Sequence, residues 1–293
     1  MRTCYVLILS VLFVGCAHDP AIPLKKLPSN ISIAEVYEFA QYSKDAYATP
    51  AILQQKYTDS LLRTKHFAQR DAQYFVLKHK SGKALLISSR GTASLENALV
   101  DAEYVKTKVK ELDLFLHKGF AEISWEVYQD MRPSLLPYKA THNISLTGHS
   151  LGGAMAAILM MYLQHDGFMV EKVITFGQPK VTNRNGMKTF EEAPLLRIVH
   201  GKDPVPLVPP ITLVAAEHGI YRHFGQELIL LQGPYYVFLD EHVAEGRDVS
   251  SFWKNLGNEK ISDHFMDNYL SVLDSKQKDI IAVRYDQRKR YEP

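Results

Sequence analysis

Gly148-His149-Ser150-Leu151-Gly152 is the stretch of this chain with the plainest chemistry. A serine stands between two glycines, after an apolar run at residues 144–147 and before a helix-forming run at 154–165. Strand, tight turn and helix are what an exposed nucleophile requires. The hydroxyl must stand clear of a strained backbone, and side chains at 148 and 152 would strike the strand and helix being joined. Gly153 and Ala154 let the first helical turn lie close to the sheet. The helix N-terminus favours negative charge beside Ser150. Such a serine attacks a carbonyl, and it needs a base, an acid and oxyanion donors.

Asp203 is the candidate acid. It follows an apolar run at residues 195–199 through His200-Gly201-Lys202. Open α/β sheets place their sites just past the carboxyl ends of strands. Pro204, Pro206, Pro209 and Pro210 stiffen the loop that would hold the carboxylate. For the base, His264 opens a last helix with an expected buried stripe of Phe265, Tyr269, Val272 and Leu273. His242 also follows a strand candidate, and His218 and His223 precede one, so spacing alone leaves them open. Arg90-Gly91-Thr92 ends a buried strand; the N–H and hydroxyl of Thr92, with the N–H of Leu151, can serve a developing oxyanion.

These groups need a scaffold. Strands are predicted at residues 73–77, 84–88, 173–176, 195–199 and 227–231, with a turn at Ser81-Gly82. An apolar run at 211–216 also reads as a buried strand. A first helix begins after Ser32, with a capping box to Glu35, a staple from Ile31 to Val36, and a face of Ile33, Val36, Tyr37 and Ala40. Another shows Phe120, Ile123, Val127 and Met131 on one side, with Pro133 and Pro137 leaving its end open. Residues 93–100 form a short amphipathic helix, either surface packing or a small lid. Gly167 stops the helix after Ser150. Alternating strands and helices predict an α/β fold with a mainly parallel central sheet and helices on both faces.

At 293 residues the chain can bury one large α/β core. A net charge of +2 offers no basic field for nucleic acid. Arg2 followed by an apolar run at residues 6–14 reads as a signal peptide, too short to span a bilayer. The run ends at Phe13-Val14-Gly15-Cys16, which is similar to the bacterial lipobox with Cys16 as the lipidated residue. Cys4 and Cys16 are the only cysteines, so cleavage before Cys16 leaves no intramolecular disulfide. Residues 1–15 are thus the expected signal peptide, 16–30 a proline-broken tether and 31–293 the domain. Ala17 after the cysteine resembles outer-membrane sorting. The basic stretch at 284–290 reads as a solvated terminus.

Together these pieces resemble the fungal-type class 3 lipases of the α/β-hydrolase fold, over about residues 74–270. Arg90-Gly91-Thr92 resembles the family's oxyanion loop, and Ser94, Asn97 and Asp101 fall at its lid helix and the aspartate after it. His117-Lys118-Gly119-Phe120, Gly148 through Ala154, Gly177-Gln178-Pro179 and Asp203-Pro204-Val205-Pro206 match family motifs in order. Asp263-His264 resembles its Asp-His-x-x-Tyr, with the tyrosine displaced to Tyr269. The resemblance implies Ser150 as nucleophile, Asp203 as acid and His264 as base. Ala98, where the family often has tryptophan, and the missing disulfides put interfacial activation and triglyceride preference in question.

The reading is a membrane-tethered serine carboxylic-ester hydrolase acting on lipid esters through an acyl-enzyme, with no metal or cofactor. Phospholipase A1, lysophospholipase and acyltransferase would share its catalytic residues. A non-catalytic lipid-binding envelope protein is the alternative of a different class.

Overall fold

The computed structural model describes residues 22–79, 82–91, 104–209, 216–240 and 261–292. Helix α1 (Ile33–Asp45) and the short α2 (Pro50–Lys56) precede strands β1 (Leu61–Phe67), β2 (Ala72–Lys78) and β3 (Ala84–Arg90). A hairpin of β4 (Lys106–Val109) and β5 (Leu114–His117) leads into α3 (Lys118–Leu135). Strand β6 (Asn143–His149) runs through Ser150 into α4 (Leu151–His165). Then come β7 (Val170–Phe176), α5 (Arg184–Thr189), β8 (Leu195–His200), β9 (Gln226–Leu230), β10 (Tyr235–Leu239), α6 (Met266–Ser275) and β11 (Ile281–Ala282).

Among the described residues nine strands form one sheet, in the order β1-β2-β3-β6-β7-β8-β9-β10-β11. From β3 through β9 the neighbours are parallel, whereas β1, β2 and β10 join by antiparallel pairing. The alternation of strand side chains sends them to two cores. Tyr74, Val76, Leu85, Ile87, Leu146 and Val173 pack under α3 and α4. Phe75, Leu77, Leu86, Ile174, Phe176 and Ile198 pack under α1 and α6. Each buried Val, Leu, Ile or Phe is worth about 1.5–3 kcal/mol, so both faces must be covered for strands this apolar to stay in the sheet. Helix α4 is buried along nearly its whole length because it lies between the sheet and α3. The expected α/β fold is therefore the observed one.

Several local expectations move. Ser32 accepts from the Glu35 N–H, but the Glu35 carboxylate leaves the expected box to pair with Lys172. Phe39, not Tyr37, completes the buried face of α1. The helix through Phe120 passes Pro133 and ends at Leu135. Strand β10 is the strand candidate before His242, whereas strands β1, β4, β5 and β11 and helices α2 and α5 carry no strong sequence pattern and were not expected. Residues 22–30, assigned by composition to a tether, lie along the fold: Ile22 and Leu27 pack on it, and the Leu27 N–H donates to the Tyr236 hydroxyl at 3.0 Å. The basic stretch near the C-terminus is also docked, with the Tyr291 carbonyl accepting from Gln232 N–H at 2.8 Å and its ring 4.1 Å from that of Tyr235. Gly167 does end α4, at φ +75°. The expected lid at 93–100, most of the run at 211–216, His242, Cys16 and Thr92 lie outside the described residues.

Candidate active site

Strand β6 delivers Ser150 onto a turn at φ 60° and ψ −128°, a region that costs a non-glycine residue roughly 1–3 kcal/mol. The turn is held by Ser150 N–H donating to the Phe176 carbonyl at 2.9 Å and Gly153 N–H donating to the Ser150 carbonyl at 2.9 Å. The flanking glycines are steric necessities. A Cβ on Gly148 would come within 2.2 Å of the Gly152 carbonyl oxygen, and one on Gly152 within 2.1 Å of the Ser89 carbonyl oxygen. Leu151 is the first residue of α4, so its N–H has no intrahelical acceptor and remains available to an oxyanion. Arg90 does not join this group: its guanidinium pairs with Asp71 and fixes the end of β3. The description reaches Gly91, one residue before Thr92.

Asp203 sits just beyond β8 and is fully buried. Its carboxylate accepts from Val205 N–H at 2.8 Å, from the Tyr269 hydroxyl at 2.6 Å, and from His264 Nδ1 at 2.9 and 3.0 Å. Burial alone would raise this carboxyl, but the neighbouring His264 and these donors outweigh it and hold Asp203 below its ordinary value. Beneath it, the buried Arg197–Glu227 pair at 2.7 Å joins β8 to β9, and removing either partner would cost about 3–5 kcal/mol.

His264 ends a short 3-10 turn, Ile261–His264, rather than opening the last helix. Phe265 is the extended cap that follows, and α6 starts at Met266. The buried stripe is accordingly Met266, Tyr269 and Leu273, with Val272 half-buried; Phe265 points outward at 54% exposure. The extended Phe265 also explains the displaced tyrosine. The extra residues between His264 and Tyr269 are absorbed by the bend, and the phenol still reaches Asp203. Because Nδ1–H of His264 donates to the carboxylate, Nε2 is left as the basic atom. It is buried and has no hydrogen-bond partner among the described residues. The structure thus joins Asp203 to His264, while His223 bonds to the Pro206 carbonyl and His218 stacks on Phe115.

Gly177 carries a signal that the Gly-Gln-Pro motif contained without explaining. It follows Phe176, which holds the elbow, and sits at φ +55° against Asp203 and His264. A Cβ there would lie 2.7 Å from Asp203 Oδ2 and 2.7 Å from His264 Cε1. Gly177→Ala should therefore push the pair apart. Displacements of about 1 Å cost on the order of 10²-fold, and that is the expected loss in kcat. Wild-type kcat in a folded Gly177→Ala protein would show that the pair tolerates the methyl. Tyr47, whose hydroxyl lies 2.8 Å from His149 Nδ1, had no sequence signal, and His149, whose Nε2 lies 2.6 Å from the His264 carbonyl, stood in the elbow motif with no role assigned to it.

Residues 86–213 match the family described as Lipase (class 3). A secreted mono- and diacylglycerol lipase from Fusarium solani is 32% identical over 169 residues, covering 55% of this chain and 48% of that protein. A lipase from Rhizopus niveus is 32% identical over 150 residues, covering 48% of this chain and 38% of its own length. The chain thus spans half or less of either relative. Among solved structures, a triacylglycerol lipase described as having a serine protease triad at its catalytic centre superposes with a TM-score of 0.67. That superposition is at 22% identity, over 83% of this chain and 96% of that one. The lipase of Rhizopus microsporus var. chinensis gives a TM-score of 0.65 at 23% identity, over 90% and 96% of the two chains. Over residues 86–213, the stretch that carries Ser150 and Asp203, this chain matches the class 3 lipases, and its fold is that of the α/β-hydrolases.

Proposed function

We propose that this protein is a serine carboxylic-ester hydrolase that cleaves acyl esters of glycerolipids. The observation that carries the reading is the Asp203–His264 pair, with Nε2 unbonded, at the end of the sheet where Ser150 stands on its strained turn. In this mechanism Ser150 Oγ attacks the ester carbonyl while His264 Nε2 takes its proton. Asp203 holds the imidazole in the required tautomer and stabilises the imidazolium. The N–H of Leu151 and the N–H and hydroxyl of Thr92 receive the tetrahedral oxyanion. His264 then gives its proton to the leaving alcohol, and water, activated by the same nitrogen, releases the acid from the acyl-serine.

The relatives acting on mono- and diacylglycerols support a neutral glyceride substrate. The test is a hydrolysis panel of mono-, di- and triacylglycerols, phospholipids, lysophospholipids and short p-nitrophenyl esters. Turnover of diacylglycerol and p-nitrophenyl esters is expected. Turnover of phospholipids alone would move the assignment to a phospholipase A1 or lysophospholipase. Acyl transfer to an added alcohol in preference to water would make it an acyltransferase, and no turnover at all would leave a lipid-binding protein.

We further propose that the chain is a lipoprotein of the bacterial envelope, anchored through Cys16 and directed to the outer membrane. The support is the Arg2, apolar run and Val14-Gly15-Cys16 arrangement. Among the described residues no helix is long and apolar enough to cross a membrane. Fatty-acid labelling should mark the wild type and not Cys16→Ser. Each buried CH₂ contributes about 0.8 kcal/mol, so several chains would make release negligible. Recovery of wild-type protein as a soluble, unlabelled species would remove the anchor from this account.

A further inference from the structure

The half-buried turn after α1 is built around one phenol. Gln73, itself buried on β2, donates its side-chain amide to the carbonyls of both Ala46 and Ala48, at 2.8 and 2.6 Å. These clamps flank Tyr47. Its hydroxyl lies 2.8 Å from Nδ1 of His149, the residue immediately before the nucleophile. It also lies against Gly91 at the end of β3, where an added Cβ would stand 2.9 Å from the phenol oxygen. On the other side of the His149 ring, Nε2 is 2.6 Å from the backbone carbonyl of His264. A carbonyl only accepts, so Nε2 carries the proton. Nδ1 is then a lone pair, and the Tyr47 O–H donates to it.

The ring of His149 lies 4.4 Å from that of His264, centroid to centroid. Burial and the neighbouring His264 push His149 down to about 3, so it is neutral at working pH. The other charged groups acting on it are Asp203 and Lys44, and Arg90 acts on Tyr47 from the β3 side. Burial raises the Tyr47 phenol, which keeps its proton available for donation.

We propose that Tyr47 is a positioning residue of the ester-hydrolase site: it locks His149 in the neutral Nε2–H tautomer, and His149 in turn holds the backbone of the catalytic base. The inference rests on the serine-hydrolase reading for its kinetic consequence and on geometry alone for its structural one. Two effects follow from the lock. In the other tautomer the Nε2 lone pair would face the His264 carbonyl, lone pair against lone pair, and the base would shift. The lock also occupies the one remaining nitrogen at which His149 can take a proton. A cation there would oppose the imidazolium that His264 must become when it accepts the serine proton.

Tyr47→Phe in the full-length chain keeps the ring and removes the O–H. The kcat on p-nitrophenyl butyrate is expected to fall about tenfold or more, with KM within about twofold, because the phenol hydroxyl is engaged with His149. In ¹⁵N-histidine spectra, with His149 assigned by its loss in His149→Leu, the wild type should show a protonated Nε2 and a bare Nδ1. Tyr47→Phe should show both tautomers. In a His149→Leu background, Tyr47→Phe should change kcat by less than about twofold, since the phenol acts through the imidazole. Wild-type kcat in Tyr47→Phe, an unchanged His149 tautomer, or an undiminished effect in the His149→Leu background would each overturn the proposal. Should His149→Leu fail to fold, His149→Asn supplies the assignment and the background. A wild-type protein with no esterase activity would overturn the hydrolase reading instead, and the tautomer spectra would still decide the role of Tyr47.

Discussion

Purified Ser150→Ala should lose esterase turnover by about 10⁴-fold or more while keeping its fold. Both halves of this expectation come from the site. The substitution deletes only Oγ. The backbone bonds that shape the turn, Ser150 N–H to Phe176 and Gly153 N–H to Ser150, involve no side-chain atom. Alanine meets the same positive φ as serine, so the turn is no more strained than before. What remains is binding and oxyanion stabilisation, which leave some rate above that in water. Circular dichroism and thermal melting should match the wild type. Full activity in the purified variant would falsify the serine-hydrolase reading.

Loss of His264 should cost as much as loss of Ser150. His264 is 1% exposed, its Nδ1 is committed to Asp203, and its Nε2 is the buried basic atom, with no partner among the described residues. His264→Ala also removes a buried donor from Asp203, and leaving a buried group short of a hydrogen-bond partner costs about 1–3 kcal/mol. A loss of activity in that variant therefore needs a control for folding. His264→Asn is the sharper test: its amide can still donate to Asp203, but it offers no basic nitrogen to Ser150. Both variants should drop kcat/KM on a p-nitrophenyl ester about as far as Ser150→Ala. Combining either with Ser150→Ala should cost little more, since triad members act as a unit. His242, in an acidic sequence context and outside the described residues, should stay within a few-fold of wild type when changed to alanine, as surface substitutions do. An inactive His242→Ala beside an active His264→Asn would reverse the assignment of the base.

Much of this was legible along the chain because it is local. The Gly-x-Ser-x-Gly turn announces itself, since collisions of a Cβ at 148 or 152 with adjacent backbone arise within the elbow or from the strand beside it. The alternation of strands and helices, the stop at Gly167 and the serine cap of α1 are likewise set by neighbours in sequence. Asp203 was readable as a carboxylate just past a buried strand.

The tertiary structure decided the rest, and each case has a long-range cause. Asp203 and His264 are sixty-one residues apart, so only packing of α6 on the sheet could select His264 over His218 and His223. The stripe on α6 was misplaced because Phe265 caps the helix in an extended conformation, a choice that depends on His264 being held by Asp203 and His149. That same bend lets Tyr269 reach the acid from a position the linear motif does not allow. Gly177 reads as an ordinary turn glycine until the acid and base are seen where its side chain would be. Tyr47 had no pattern around it. Its place comes from Gln73 on another element, and its partner His149 is 102 residues away. Sequence patterns record periodicity and steric limits between near neighbours. A hydrogen bond between side chains a hundred residues apart leaves no period behind, and only the folded chain brings its two ends together.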